Sequence, residues 1–143
     1  MKLSEKGTFA PPPKLPQHAQ VVSDGVAGME GVVARSHWLL GDEREVDGAD
    51  FYLGDEELGH IHLDSEAHVF HSARVASALI AAGHGQRFPW SRNVVVFPIR
   101  SRDDVKHALW LFRLSYDRRR GVREEELLAR ATSCNATGTL ERA

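Results

Sequence analysis

Phe51-Tyr52-Leu53-Gly54-Asp55-Glu56-Glu57-Leu58-Gly59-His60-Ile61-His62-Leu63-Asp64 is the stretch from which the architecture can be read. Two β-favouring runs, 51–53 and 58–63, flank the polar turn 54–57, which is the pattern of a hairpin. Alternate residues of a strand share a face. Ile61 and Leu63 are therefore expected to point to a core, with His60, His62 and Asp64 lining the opposite face. The need to bury the two aliphatic residues fixes the register, because a slip of one residue would bury the histidines instead. Gly59 inside the second strand weakens it unless a bulge sits there, or a ligand or another backbone comes close.

Before the hairpin, residues 31–41 read as a strand on Val32, Val33, Trp38, Leu39 and Leu40. The polar stretch 42–48 reads as a loop. Pro11, Pro12, Pro13 and Pro16 forbid helix over residues 1–20, which are expected to form a flexible arm. After the hairpin, a helix is expected over 71–82, stopped at Gly83, with Val75, Ala76, Leu79 and Ile80 inward and His71, Arg74 and Ser77 outward. Residues 93–99 read as a central strand buried on both faces, since Val94-Val95-Val96-Phe97 is continuously apolar.

A second helix is expected over 102–117, capped by Ser101 with Asp104 in its first turn. It carries a core stripe of Val105, Ala108, Leu109, Phe112 and Tyr116. It also carries a second patch of Trp110, Leu111 and Leu114. A helix apolar on two sides needs two partners. The second is either a short helix over 124–131 or another subunit, which would make a homodimer through that patch. Together these elements predict an α+β fold: a mainly antiparallel sheet of about four to five strands, two main helices and a short C-terminal helix. The expected organisation is an arm over 1–20, a domain over 21–120, and a short helix with a polar tail over 121–143.

A chain of 143 residues is the usual size of one domain. Lys plus Arg is 18 against 20 for Asp plus Glu, a net charge of -2, which favours neither nucleic acid nor an anionic membrane. No apolar run approaches the roughly 18 residues that span a bilayer, and no leader is evident. One cysteine, Cys134, excludes an internal disulfide and fits a reducing compartment, so a cytoplasmic location is expected.

Eight histidines are the unusual entry in the composition. His60 and His62 would lie about 7 Å apart at Cα, close enough to converge on one metal ion or one substrate. A metal needs a third ligand. The candidates are His37, Asp64 and His84, none at a diagnostic spacing. The second cluster is Gly83-His84-Gly85-Gln86-Arg87-Phe88-Pro89-Trp90. This shaped loop presents His84, Gln86 and Arg87 beside the aromatic walls Phe88 and Trp90, a setting that suits the anion of an aromatic ligand. There is no phosphate-binding glycine loop, dinucleotide fingerprint or nucleophile elbow. Cys134, in the polar tail, is discounted as a nucleophile.

Taken together, the hairpin, the helix ending in Ala82-Gly83, residues 94–99 and Leu111-Phe112-Arg113-Leu114-Ser115-Tyr116-Asp117-Arg118 resemble the luciferase-like domain family, over roughly residues 31–118. The family contains the fungal luciferases and bacterial members. Glu57, His60 and His62 correspond to a Glu-x-x-His-x-His segment of the fungal enzymes. Gly83, Gly85, Gln86, Arg87 and Pro89 match a Gly-x-Gly-Gln-Arg-x-Pro segment, the more specific of the two. The fungal enzymes are oxygenases that add O2 to a hydroxylated styryl-pyrone. This chain is shorter, has no matching N-terminal membrane helix, and differs at His84 and Phe88.

The resemblance implies an O2-dependent oxidoreductase acting on an aromatic or enolisable small molecule. His60 or His62 would be the general base, Arg87 would hold the anion, and Phe88 and Trp90 would stack on the ring, with Glu57, Asp64, His84 and Gln86 completing the pocket. No cofactor is expected beyond O2 as co-substrate, and no tightly held metal. The alternatives are a non-catalytic binding or assembly module, and a metal-dependent enzyme using the same histidines.

Overall fold

The computed structural model describes residues 9–39 and 42–133. The elements are α1 (Gln17–Ala27), β1 (Val32–Leu39), β2 (Asp42–Leu53), β3 (Glu56–His62), β4 (Glu66–Phe70), α2 (Ala73–Ala81), β5 (Gln86–Phe88), β6 (Ser91–Pro98), α3 (Arg102–Arg119) and α4 (Glu124–Thr132). The strands form one six-stranded sheet in the order β1-β2-β3-β4-β6-β5. Every neighbouring pair is antiparallel. The fold is α+β, with more strands than expected. No helix among the described residues is long and apolar enough to cross a membrane.

The helices share one core on one face of the sheet. Ala49, Phe51, Ile61, Ala67, Val69 and Val95 point inward from the strands. They meet Val22 and Val26 of α1, Val75 and Leu79 of α2, Leu111, Phe112 and Leu114 of α3, and Leu127 of α4. The Phe112 ring stands edge-on to Phe51 at 5.5 Å. Two polar bonds tie α3 down: Ser115 Oγ donates to the Leu58 carbonyl at 3.1 Å, and Tyr116 OH to the Glu30 carbonyl at 2.7 Å. Of the second apolar patch of α3, Leu111 and Leu114 are fully buried within the chain and Trp110 is half-buried.

Local chemistry accounts for the helix ends. Ser72 Oγ caps α2 by accepting from Val75 N at 3.2 Å. At the far end Gly83, at φ +81°, donates to Ile80 O while His84 N donates to Leu79 O, the paired bonds of a Schellman stop. The Asp104 carboxylate accepts from Ser101 N at 3.0 Å at the start of α3.

Several expectations change. Helix α1 begins at Gln17, inside the stretch read as an arm, because Ala19, Val22, Ser23 and Val26 recur at helical spacing and bury one face. The preceding residues 9–16 are extended but docked: Ser36 N donates to Ala10 O at 2.9 Å, Ser36 Oγ to Pro11 O at 2.7 Å, and Leu15 is buried. Residues 42–48 belong to strand β2 rather than a loop. Residues 66–70 and 86–88 add β4 and β5. Leu63 lies past the end of β3 and is 42% exposed, while His71, expected on the outer side of a helix, precedes α2 and is buried. The tail beyond residue 133, Cys134 included, lies outside the described residues.

Candidate functional site: a histidine and carboxylate face

The sheet face away from the helices carries the chemistry. In an antiparallel sheet, residues directly opposite one another point the same way. The register therefore sets out one row across all six strands: Arg35, Asp50, His60, His68, Val96 and Gln86. A second row brings His37 opposite Gly48, and Gly48 opposite His62. The absence of a side chain at Gly48 leaves the rings on either side free to close over it. Gly48, at φ +153°, lies so near β3 that a Cβ there would fall 2.0 Å from Ile61 O.

The result is a cluster of imidazoles from three strands. His37 stacks on His60 with centroids 4.1 Å apart and planes 10° from parallel. His62 stands edge-on to both, at 5.1 Å from His37 and 4.8 Å from His60. His68 closes the group at 5.0 Å from His60 and 4.5 Å from His62.

Each ring is backed by a carboxylate. Nδ1 of His37 meets Asp50 Oδ1 at 2.6 Å, Nδ1 of His60 meets Glu57 Oε2 at 2.8 Å, and Nδ1 of His62 meets Asp47 Oδ2 at 2.8 Å. His68 uses its other nitrogen, Nε2, towards Glu66 Oε1 at 2.8 Å. An ionised carboxylate only accepts, so the ring nitrogen facing it carries the proton. A neutral ring at 37, 60 or 62 then keeps its lone pair on Nε2.

The electrostatics favour neutral rings at the centre. Burial, with the neighbouring His37 and His62 adding to it, holds His60 well below the usual histidine range, against the pull of Asp50. Burial also lowers His68, opposed by its bond to Glu66. Beneath the cluster Tyr52 is fully buried, and its hydroxyl is pushed up, by burial first and Glu57 second. The Tyr52 OH lies 3.4 Å from Glu57 Oε1. Aromatic rings extend the face sideways: Phe70 is edge-on to His60 at 5.6 Å, Phe88 lies 5.0 Å from His68, and the exposed Trp90 lies 5.4 Å from Phe88.

Of the residues singled out in the sequence, Glu57, His60, His62 and Phe88 come together, with Trp90 at the rim and Gln86 at the end of the same row. Asp64 instead shapes the β3–β4 turn, accepting from Glu66 N at 3.0 Å. His84 lies on the helix side against Trp110, its carbonyl accepting from His107 Nε2 at 2.6 Å. Arg87 faces away from the imidazoles, because it precedes Phe88 on β5 and pairs with the core residue Val95. It lines a groove of about 610 Å³ with Arg74 and Ser77 of α2, Arg92 of β6 and Leu128 of α4. Three of the lining residues are arginines, and no His, Asp or Glu lines the groove among the described residues.

The sequence reading did not place Asp47, Asp50, Glu66 or His68 in the site, and named His37 only as a ligand candidate. Alternation of Glu66, His68 and Phe70 against Ala67 and Val69 was the available signal for β4.

The class is thus an α+β domain whose antiparallel sheet carries a carboxylate-backed histidine cluster on the face away from the helices. Residues 55–115 match the family model described as Luciferase domain. The match runs from the β2–β3 turn to Ser115, in the second half of α3. It includes Glu57, His60, His62, Glu66 and His68, and leaves out the strands that bring His37, Asp47 and Asp50. No curated protein and no solved structure matches the chain.

Proposed function

We propose that the histidine face is the reaction site of an O2-dependent oxidoreductase acting on a flat, enolisable or aromatic small molecule. The observation that carries this reading is the set of carboxylate-oriented imidazoles, of which His60, His62 and His68 lie inside the segment that matches the Luciferase domain. A neutral imidazole with a carboxylate behind it is a general base of fixed tautomer: it takes the proton, and the carboxylate stabilises the imidazolium. His60 and His62 fill this role against an acidic C–H or O–H of the substrate. The flat anion rests along Phe70, Phe88 and Trp90.

The step balances as RH + O2 → ROOH. The base removes the proton, the anion forms a C–O bond and reduces dioxygen by two electrons to the peroxide level, and the proton returns to the distal oxygen. The test is oxygen uptake with a panel of phenols, pyrones and β-diketones. For any substrate the parent accepts, the double change His60→Ala and His62→Ala is expected to lower the rate by about 100-fold or more, the scale of a lost general base. Arg87→Ala, on the far face, is expected to leave it near the parent. A folded double variant that matches the parent sinks the reading.

A further inference from the structure

The geometry points to a second property of the same face: His37, His60 and His62 form a binding site for a divalent first-row metal ion such as zinc or iron(II). The inference shares residues with the reaction proposed above but does not depend on it, because metal uptake needs no substrate.

The first argument is position. One ring nitrogen from each of the three histidines lies within 4.8 Å of the other two. Nitrogens bound to one zinc at about 2.1 Å lie about 3.4 Å apart in a tetrahedral site. The present span therefore closes by about 1.4 Å through ring tilts, chiefly of His37 out of its parallel stack on His60. The ligands come from β1 and β3, strands that flank β2 in a continuous sheet, so the backbone that carries them is rigid.

The second argument is the shell behind the ligands. A metal-bound histidine usually donates its other N–H to a carboxylate, which fixes the tautomer and raises ligand basicity. All three rings show this arrangement at Nδ1, to Asp50, Glu57 and Asp47 respectively, and none of the three Nε2 atoms makes a hydrogen bond to a described residue. With Nδ1 tied back to a carboxylate in all three rings, Nε2 is the nitrogen each has left to offer as a donor. Imidazole donors suit zinc, iron, copper and nickel rather than magnesium or calcium.

The third argument is access. The three ring side chains are 21%, 12% and 21% exposed, so an ion arriving from solvent reaches them and keeps an open position for water or substrate. Asp50, Glu57 and His60 also cluster at ligand distance. Asp50 and Glu57 are buried and already bonded to Nδ1 of His37 and His60, so this deeper set serves as support for the outer one.

The test is Zn2+ binding to chelator-stripped full-length protein by titration calorimetry, with Co2+ absorption as a report of nitrogen ligation. One ion per chain is expected, with a Co2+ spectrum of low coordination number. His62→Ala and His37→Ala are each expected to weaken Zn2+ binding by about 100-fold, and Asp47→Asn by about 10- to 100-fold while leaving all three ligands in place. His18→Ala, on α1, leaves it unchanged. Circular dichroism confirms folding of each variant, and Asp47→Asn carries the test should a histidine variant unfold. Stripped parent that takes up no stoichiometric Zn2+ overturns the inference. So do folded His37→Ala and His62→Ala proteins that bind as tightly as the parent, which would place the ion on Asp50, Glu57 and His60. Uptake of Zn2+ with no oxygen consumption for any substrate supports the metal and removes the oxygenase reading. Oxygen consumption by protein that takes up no Zn2+ does the reverse.

Discussion

His71 is the residue whose burial has the plainest consequence. It is 1% exposed, and its Nε2 has no hydrogen-bond partner among the described residues. Burial, reinforced by the nearby Arg118 and Arg119, lowers its pKa from 6.5 to about 3. As pH falls from about 6.5 to about 3, the unfolded chain takes up a proton at this position that the folded chain refuses. Stability is therefore fully present above about 6.5 and is lost by up to about 1.4 kcal/mol per pH unit below it, with no further loss from this group under pH 3. His60 and His68 are lowered too and steepen the same limb. Replacing His71 with Leu removes one titrating group and leaves no polar atom stranded. Urea unfolding of His71→Leu between pH 8 and 4 is expected to show the variant gaining on the parent as pH drops. Curves that stay parallel across that range would count against this account.

At the scale of elements, β3 shows how tightly the strands and helices are fitted. Gly59 sits beside a bulge where the β2–β3 register shifts, at φ +153°, and a Cβ there would come 2.4 Å from His68 O and 2.9 Å from Phe112 Cε1. Both the expected bulge and the expected close backbone approach are present, and α3 presses on the same spot. Gly59→Ala is expected to cost about 2–4 kcal/mol by combined strain and overpacking, measured by chemical denaturation; a loss under about 1 kcal/mol would mean that β3 and α3 separate easily. Elements with strong internal periodicity were readable from the chain alone: the hairpin, β6, α3 and α4 all occur where apolar spacing put them. The start of β2 was not, because residues 42–47 are mostly polar, and Asp47 is accommodated by His62 of the next strand rather than by its own neighbours in sequence. The short β4 escaped notice because its outward residues, His68 and Phe70, blur the contrast with Ala67 and Val69. The same limit applies to the site. His60 and His62 announce themselves by alternation within one strand, whereas His37, Asp50 and His68 join them only through cross-strand register, which couples residues 8 to 23 apart.

At the scale of the whole molecule, the sheet has two margins. One is β5, only three residues long, too short to recruit a neighbour. The other is β1, eight residues long, with a full set of backbone groups on its outer side. The segment 9–16 lies against that side, bonded through Ala10 and Pro11 to Ser36, with the Arg35 guanidinium 5.3 Å from the Phe9 ring. Pro11, Pro12 and Pro13 have no N–H to offer. A strand arriving from another molecule thus finds a neighbour that cannot continue the ladder, so templated growth stops where the prolines begin. Protein lacking residues 1–16 but retaining α1 is expected to remain folded and to assemble with rising concentration, followed by light scattering; a species that stays monomeric throughout would show the prolines to be idle. The stretch that reads as featureless in sequence lies along the outer margin of a six-stranded sheet and offers an incoming strand no N–H from Pro11 to Pro13.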